Sequence, residues 1–246
     1  MTSKNAGEQA ISKAAELGLS SQLDEAENLD VDIRTNPLDL MQGEIESVSV
    51  KGEGLVMKKE LRAEKLRIET SSISVNSIKA AMGNIELTQP TDARMLVALK
   101  EEDLQNAFNS EYIKDKLQNM EIEWEGKKVK GKIDEVKFTL LDDGKIGLKA
   151  DVYLGDRDNA EKVSLTAIPQ IDNAGNCIKL ESVEYLEDAG CNLQVAKAIV
   201  NSAEEILDLR NFELDTMSLQ VRKLDVKLGQ LSIEADAEVR DFPKTS

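Results

Sequence analysis

Two sets of carboxylates stand at spacings that could do acid–base chemistry. Asp30 and Asp32, and Glu121, Glu123 and Glu125, alternate with apolar residues. On a strand such side chains share one face and lie ~6.5–7 Å apart. That separation would suit the paired acids of an inverting glycosidase. Catalytic pairs need burial to split their pKa values, so acids alternating with aliphatics are more simply the wet face of a sheet. Asp156-Arg157-Asp158-Asn159 begins like a calcium loop but lacks the carboxylate at the fifth place, the glycine at the sixth and the Glu at the twelfth. It reads as a hairpin turn. Gly52-Glu53-Gly54 lacks the further glycine or lysine of a phosphate loop and reads as a bulge or a close strand approach. Cys177 stands near Lys179, and Cys191 lies just before a helix, a position that would lower its pKa. Two free buried thiols are the plainer reading, with one buried bridge as the alternative.

The composition narrows this chemistry further. The chain has 246 residues, with 31 Lys and Arg against 47 Asp and Glu, a net charge of −16 and no histidine. The sign is wrong for displacing counterions from nucleic acid or docking on anionic lipid. Without histidine, Ser-His-Asp triads and HExxH zinc sites are out, and there is no Gly-x-Ser-x-Gly elbow or Ser-x-x-Lys spacing. The expectation is a non-enzymatic protein without metal or cofactor. No apolar leader opens the sequence and no stretch approaches 18 apolar residues. This predicts a soluble protein, cytoplasmic or peripheral to an internal membrane.

The elements that would carry these residues are legible from periodicity. Helical spacing marks residues 8–19, with Asn5 and Glu8 spaced as a capping box, then 101–118 with a break at Asn109-Ser110, and 193–208 behind the N-cap Asn192. Period two marks strands near 29–34, 44–56, 61–69, 72–78, 84–88 and 93–99. Asn36 to Gly43 reads as a turn or short irregular insert. A phase break near Glu46-Ser47 suggests a bulge. Residues 119–186 read as an antiparallel meander, with Asp142-Asp143-Gly144-Lys145 as a strong hairpin cue. Strands at 211–221, 223–228 and 230–240 close the chain. No βαβ rhythm is present. The fold class is therefore α+β: a long curved antiparallel sheet wrapped around two or three amphipathic helices. Residues 1–7 form a flexible tail, and 8–246 a single elongated domain with a hint of two pseudo-repeated halves, 8–118 and 119–246.

The apolar residues say more about function than the charged ones. They make up 41% of the chain, yet aromatics are only 3%. An aliphatic curved sheet suits acyl chains, whereas sugars and nucleobases usually need aromatic platforms. Six internal methionines suit an irregular lipid pocket as well as an ordinary core. Groove candidates on these elements are Ile11, Met82, Met95, Val97, Phe108, Ile113, Ile199 and Ile206. The competing reading is a structural or interaction protein with a dry core; a hydrolase using paired carboxylates is the weakest.

An ordered series of residues also carries a resemblance. After the amphipathic first helix come Asn36-Pro37-Leu38, Leu40 and Gly43, then Val48, Val50, Gly52, Gly54 and Leu55. Leu61, Leu66, Ile68, Ile73, Val75 and Gly83 follow, and Leu87, Pro90, Ala93, Val97 and Leu99 lead into Glu102-Asp103-Leu104. The series resembles the LmeA-like phospholipid-binding family, common in actinobacteria and cyanobacteria, over somewhat under half of the chain and loosely beyond. The resemblance implies phospholipid binding without catalytic residues, and the tubular lipid-holding architecture of the TULIP superfamily. Envelope members are secreted; with no leader, this chain looks like a cyanobacterial-type member that makes at most transient membrane contact. No individual site residue transfers.

Overall fold

The computed structural model describes residues 6–240 apart from 22, 58–60, 82–85, 112–113, 115–119, 125, 156, 187–190 and 209–216. The chain begins with α1 (Ala6–Ser20), β1 (Leu23–Glu25), β2 (Asn28–Arg34) and α2 (Pro37–Gln42). Next come β3 (Glu44–Ile45), β4 (Ser47–Met57), β5 (Leu61–Thr70), β6 (Ile73–Ser74), α3 (Ser77–Ala81), β7 (Thr91–Lys100) and α4 (Glu101–Asn109). The meander is β8 (Met120–Trp124), β9 (Lys127–Leu140), β10 (Ile146–Leu154), β11 (Ala160–Ile171) and β12 (Ile178–Tyr185). It is followed by α5 (Leu193–Ile206), β13 (Met217–Lys227) and β14 (Gln230–Val239). The Asn5 half of the expected capping box lies outside the described residues.

The meander forms a five-stranded sheet in sequence order, as its hairpin cues require. Asp143 and Gly144 both take positive φ (61° and 75°), the conformation that matches a two-residue hairpin turn to strand twist. The inward residues Ile122, Leu140, Val152, Leu154, Val163 and Leu165 are 0–2% exposed. Helix α5 supplies the plug: Val195, Ala196 and Ile199 are 0–3% exposed, behind an Asn192 side chain that accepts from the amides of Gln194 and Val195. This helix touches β8 at one edge of the sheet and β11 and β12 at the other. A straight helix reaches both edges only if the sheet curls around it as a half-barrel.

The second large sheet has seven strands in the order β1-β4-β5-β7-β14-β13, with β2 also paired to β4, all antiparallel. The expected single long sheet is thus two sheets. The phase break at Glu46-Ser47 is the point where the chain changes sheets. Glu44 and Ile45 pair with β6 in a separate two-stranded ribbon, and Ser47 onward joins the large sheet. The Asn36–Gly43 segment is a short helix: Asn36 caps it by accepting from the amides of Leu38 and Asp39, Pro37 opens it, and Gly43 ends it at φ 84°.

Helices close sheet edges by one repeated device. Two strand residues advance ~6.7 Å and four helix residues ~6 Å, so polar side chains at i and i+4 can meet alternate amides of an antiparallel strand. On α1, Glu8 accepts from the Thr35 amide (3.2 Å) and Ser12 from Ile33 (3.0 Å). On α4, Glu101 accepts from Leu140 (2.7 Å), Gln105 from Phe138 (2.7 Å) and Asn109 from Val136 (3.0 Å). Gln105 and Asn109 also donate to the Val136 carbonyl (2.6 and 2.8 Å). At the end of α5, Glu204 accepts from Leu180 (2.9 Å), and the backbone carbonyl of the C-cap Leu207, in place of a second side chain, accepts from Ile178 (3.2 Å).

An ion cluster ties α4 to the seven-stranded sheet. Arg62 on β5 reaches Glu27 (2.7 Å), Glu64 (3.0 Å) and Asp103 (3.2 Å), and Lys100 reaches Glu64 (2.9 Å). Asp103 is 4% exposed and also accepts from the Lys100 amide. Lys100 first, then Arg62, hold the Glu64 carboxyl below its ordinary 4.5, and Glu64 in turn raises Lys100. Replacing Arg62 by Met strands the Asp103 carboxylate, and a loss of about 2–4 kcal/mol in urea unfolding at pH 7 is expected. Glu64 contributes its stability above about pH 4.5 and loses it as pH falls toward the depressed value. The wild type should therefore weaken on acidification below pH 4.5 more steeply than Arg62→Met. Equal stability of the two proteins at pH 7 would refute this account.

Candidate functional site

The carboxylate pairs do not form a catalytic cleft among the described residues. Glu121 is exposed and bonded to Lys128 (2.8 Å), which lowers its pKa, the opposite of what a general acid at neutral pH requires. The Glu123 side chain and Glu125 lie outside the described residues. Asp30 is exposed, and half-buried Asp32 stands 3.8 Å from Arg34. Both cysteines are free. Burial first, then Asp208, pushes the Cys177 thiol up, and Cys191 Sγ accepts from the Ser164 amide (3.4 Å). No group of three or more His, Cys, Asp or Glu among the described residues could hold a metal ion. Gly52 serves packing: a Cβ there would lie 2.4 Å from Leu55 Cδ1, and Leu55 is 2% exposed. Asp156 lies outside the described residues, and Arg157 sits 5.4 Å over the Trp124 ring.

What stands out instead is one face of the seven-stranded sheet. Antiparallel partners share a face, so the register converts scattered aliphatics into cross-strand rows. One row runs Val31–Val50–Ile68–Met95–Ala235–Val221. The next runs Leu29–Gly52–Leu66–Val97–Ile233–Leu224. A third runs Ile33–Val48–Thr70–Ala93–Ala237–Leu219. Six strands at their usual spacing make this face roughly 24 Å wide. The opposite face alternates charges, with rows such as Ser49–Glu69–Arg94–Asp236–Gln220.

Burial along the rows is uneven. The ends are covered: α1 lies on β2, where Val31 and Ile33 are 2% and 6% exposed. At the other end the turn of residues 172–177 docks on β13, with the Val221 amide donating to the Gly175 carbonyl at 2.8 Å. Between them Val50, Leu66, Ile68, Met95, Val97 and Ile233 are only half-buried, while the small Ala93, Ala235 and Ala237 are 8%, 4% and 7% exposed. The inward face of the five-stranded sheet is sealed, while the middle of this apolar face is not fully covered by the described residues.

A cleft of about 780 Å³ opens at one end of the same sheet, lined by residues that include Glu69, Arg94, Asn176, Arg222, Asp236 and Glu238. Its guanidiniums are already engaged, because Asp236 pairs with both Arg94 and Arg222. Acids outnumber bases there, so it is neither an apolar slot nor an uncommitted anion site.

The structure brings Met95 and Val97 together on adjacent rows of the apolar face. Ile11 is half-buried on α1, which covers the end of that face. Phe108 and Ile199 lie with the other core: Phe108 stacks on Phe138 with centroids 4.8 Å apart, and Ile199 is 3% exposed. Met82 and Ile113 lie outside the described residues, as does the Ile206 side chain. Ile68 and Ile233, the direct neighbours of Met95 and Val97, were visible as strand residues, but only the register shows that they adjoin them.

Among the described residues no helix is long and apolar enough to cross a membrane. Neither a curated protein nor a solved structure matches the chain. A family model does, over residues 2–236: the chain belongs to the LmeA-like phospholipid-binding family.

Proposed function

We propose that the protein holds a phospholipid, or another acyl-chain lipid, against the half-covered face of the seven-stranded sheet and passes it on without chemical change. The reading extends to a TULIP-like tube in which the sheet and the flanking helix α1 enclose the acyl chains. The observation that carries it is the contrast between the two sheets: one sealed on α5, the other presenting aliphatic rows whose larger central side chains, from Val50 to Ile233, stay half-buried. Each methylene taken from water onto such a surface contributes about 0.8 kcal/mol. Met95 and Val97 are the central contacts in this reading, with Ile11 at the margin. The net charge of −16 favours release from anionic bilayers, which suits a carrier more than an anchor. Organic extraction of the purified protein followed by mass spectrometry should recover phospholipid at a stoichiometric level. Recovery of none, together with no uptake of a fluorescent phosphatidylcholine from detergent, would leave the dry-core interaction protein as the better reading.

A further inference from the structure

Among the described residues the three most exposed large apolar side chains gather on two short helices. Leu38 and Met41 on α2 are 71% and 78% exposed, and Ile78 on α3 is 71% exposed. Isolated exposed aliphatics are ordinary, but a cluster on adjoining elements marks a contact surface. Helices α2 and α3 touch each other, and the β3–β6 ribbon fastens their bases. The Val75 amide donates to the Gly43 carbonyl (2.8 Å), and Gly43 packs so closely that a Cβ would lie 2.1 Å from the Val75 oxygen. The patch is therefore held in place. It sits where β2 ends, β4 begins and β5 ends, beyond the Ile33–Val48–Thr70 row of the apolar face.

We propose that α2 and α3 form a docking tip that dips Leu38, Met41 and Ile78 into the headgroup–acyl boundary of zwitterionic phospholipid bilayers, so that lipid enters the apolar face from this end. The inference rests on the phospholipid reading above and deepens it. Charge selects the occupant. Asp39, Glu44, Glu46 and Glu86 stand on or beside the two helices and the ribbon, with Lys79 already paired to Glu86 (2.5 Å). This acid surplus repels anionic headgroups and complements the ammonium groups that end zwitterionic ones. Side chains exposed by more than two thirds on short helices suit shallow insertion at a soft interface.

The test is flotation of the full chain with phosphatidylcholine vesicles and with vesicles containing phosphatidylglycerol, for wild type and for a Leu38→Ser/Met41→Ser/Ile78→Ser variant. Wild type should float with phosphatidylcholine and bind less as phosphatidylglycerol is added. The variant should lose at least tenfold in binding and in the rate of lipid transfer between vesicles. Its occupancy by phosphatidylcholine delivered from detergent should match wild type, since the tip lies outside the half-buried face. Wild-type flotation by the variant, no wild-type flotation, a requirement for anionic lipid, or a patch that instead drives self-association in light scattering would each overturn the proposal. Failure of detergent-delivered occupancy in the wild type would count against lipid holding itself and leave the docking result separately readable.

Discussion

Met95→Asp is expected to abolish phospholipid uptake while leaving the protein folded. Met95 occupies the middle of the central row, between Ile68 and Ala235, and is half-buried. In the lipid-free protein a carboxylate there can turn to water, because nothing among the described residues seals the site. Once acyl chains cover it, the charge is desolvated at an effective cost of several kcal/mol. With about 1.4 kcal/mol per decade of affinity, the loss should be at least a hundredfold. The comparison is Val152→Asp on β10, at 0% exposure inside the curled sheet, where the same charge has no route to solvent. That protein should not fold. Circular dichroism and thermal unfolding check the first half of the expectation, and titration with fluorescent phosphatidylcholine the second. If Met95→Asp fails to fold as Val152→Asp does, the face is a sealed core and the lipid reading falls. If it folds and binds like wild type, lipid sits elsewhere.

The same residues show how far a sequence can be read. Period-two patterns reveal which side chains share a face of one strand, because the pleat alone decides that. They are silent on partners. Met95 and Val97 could be named as apolar strand residues, but their pairing with Ile68 and Leu66 on one side and Ala235 and Ile233 on the other is a matter of long-range register. The meander from β8 to β12 was legible because each connection is local and carries its own turn chemistry, with Asp143-Gly144 the clearest instance. The division into two large sheets was not, since β7 and β14 pair across the whole meander. The helix α2 had a full signature in Asn36, Pro37 and Gly43, and reading that segment as a turn missed it because six residues carry too little periodicity. Polar residues were the hardest to place. Gln105 looks like the wet side of an amphipathic helix and Asn109 like a helix break, and only the fold shows both paired to a strand.

That pairing sets the second large effect. Gln105→Leu/Asn109→Leu should destabilise the protein by about 3–9 kcal/mol, because each buried backbone group left unpaired costs about 1–3 kcal/mol. Three groups lose their partners: the amides of Phe138 and Val136 and the Val136 carbonyl, which both amide side chains share. In a chain of this size the loss corresponds to a drop in melting temperature of roughly 6–36 °C. Asn106→Leu supplies the control. It makes the same kind of change at an exposed position of α4 and should stay within about 0.5 kcal/mol of wild type. The defect should also change behaviour in solution, since β9 loses the side chains that cover its edge from Val136 to Phe138 and an uncovered edge recruits other strands. Concentration-dependent aggregation on mild heating, absent in Asn106→Leu, is the expected mark of that. A double variant as stable as the control would mean that water satisfies these groups and that α4 is held by its other contacts alone. Those contacts are the Arg62–Asp103 cluster on one sheet, and the Glu101–Leu140 bond and the Phe108–Phe138 stack on the other. Because α4 continues directly from β7, which carries Met95 and Val97, loosening its grip on β9 should reach the half-covered face through that strand rather than through the sealed core.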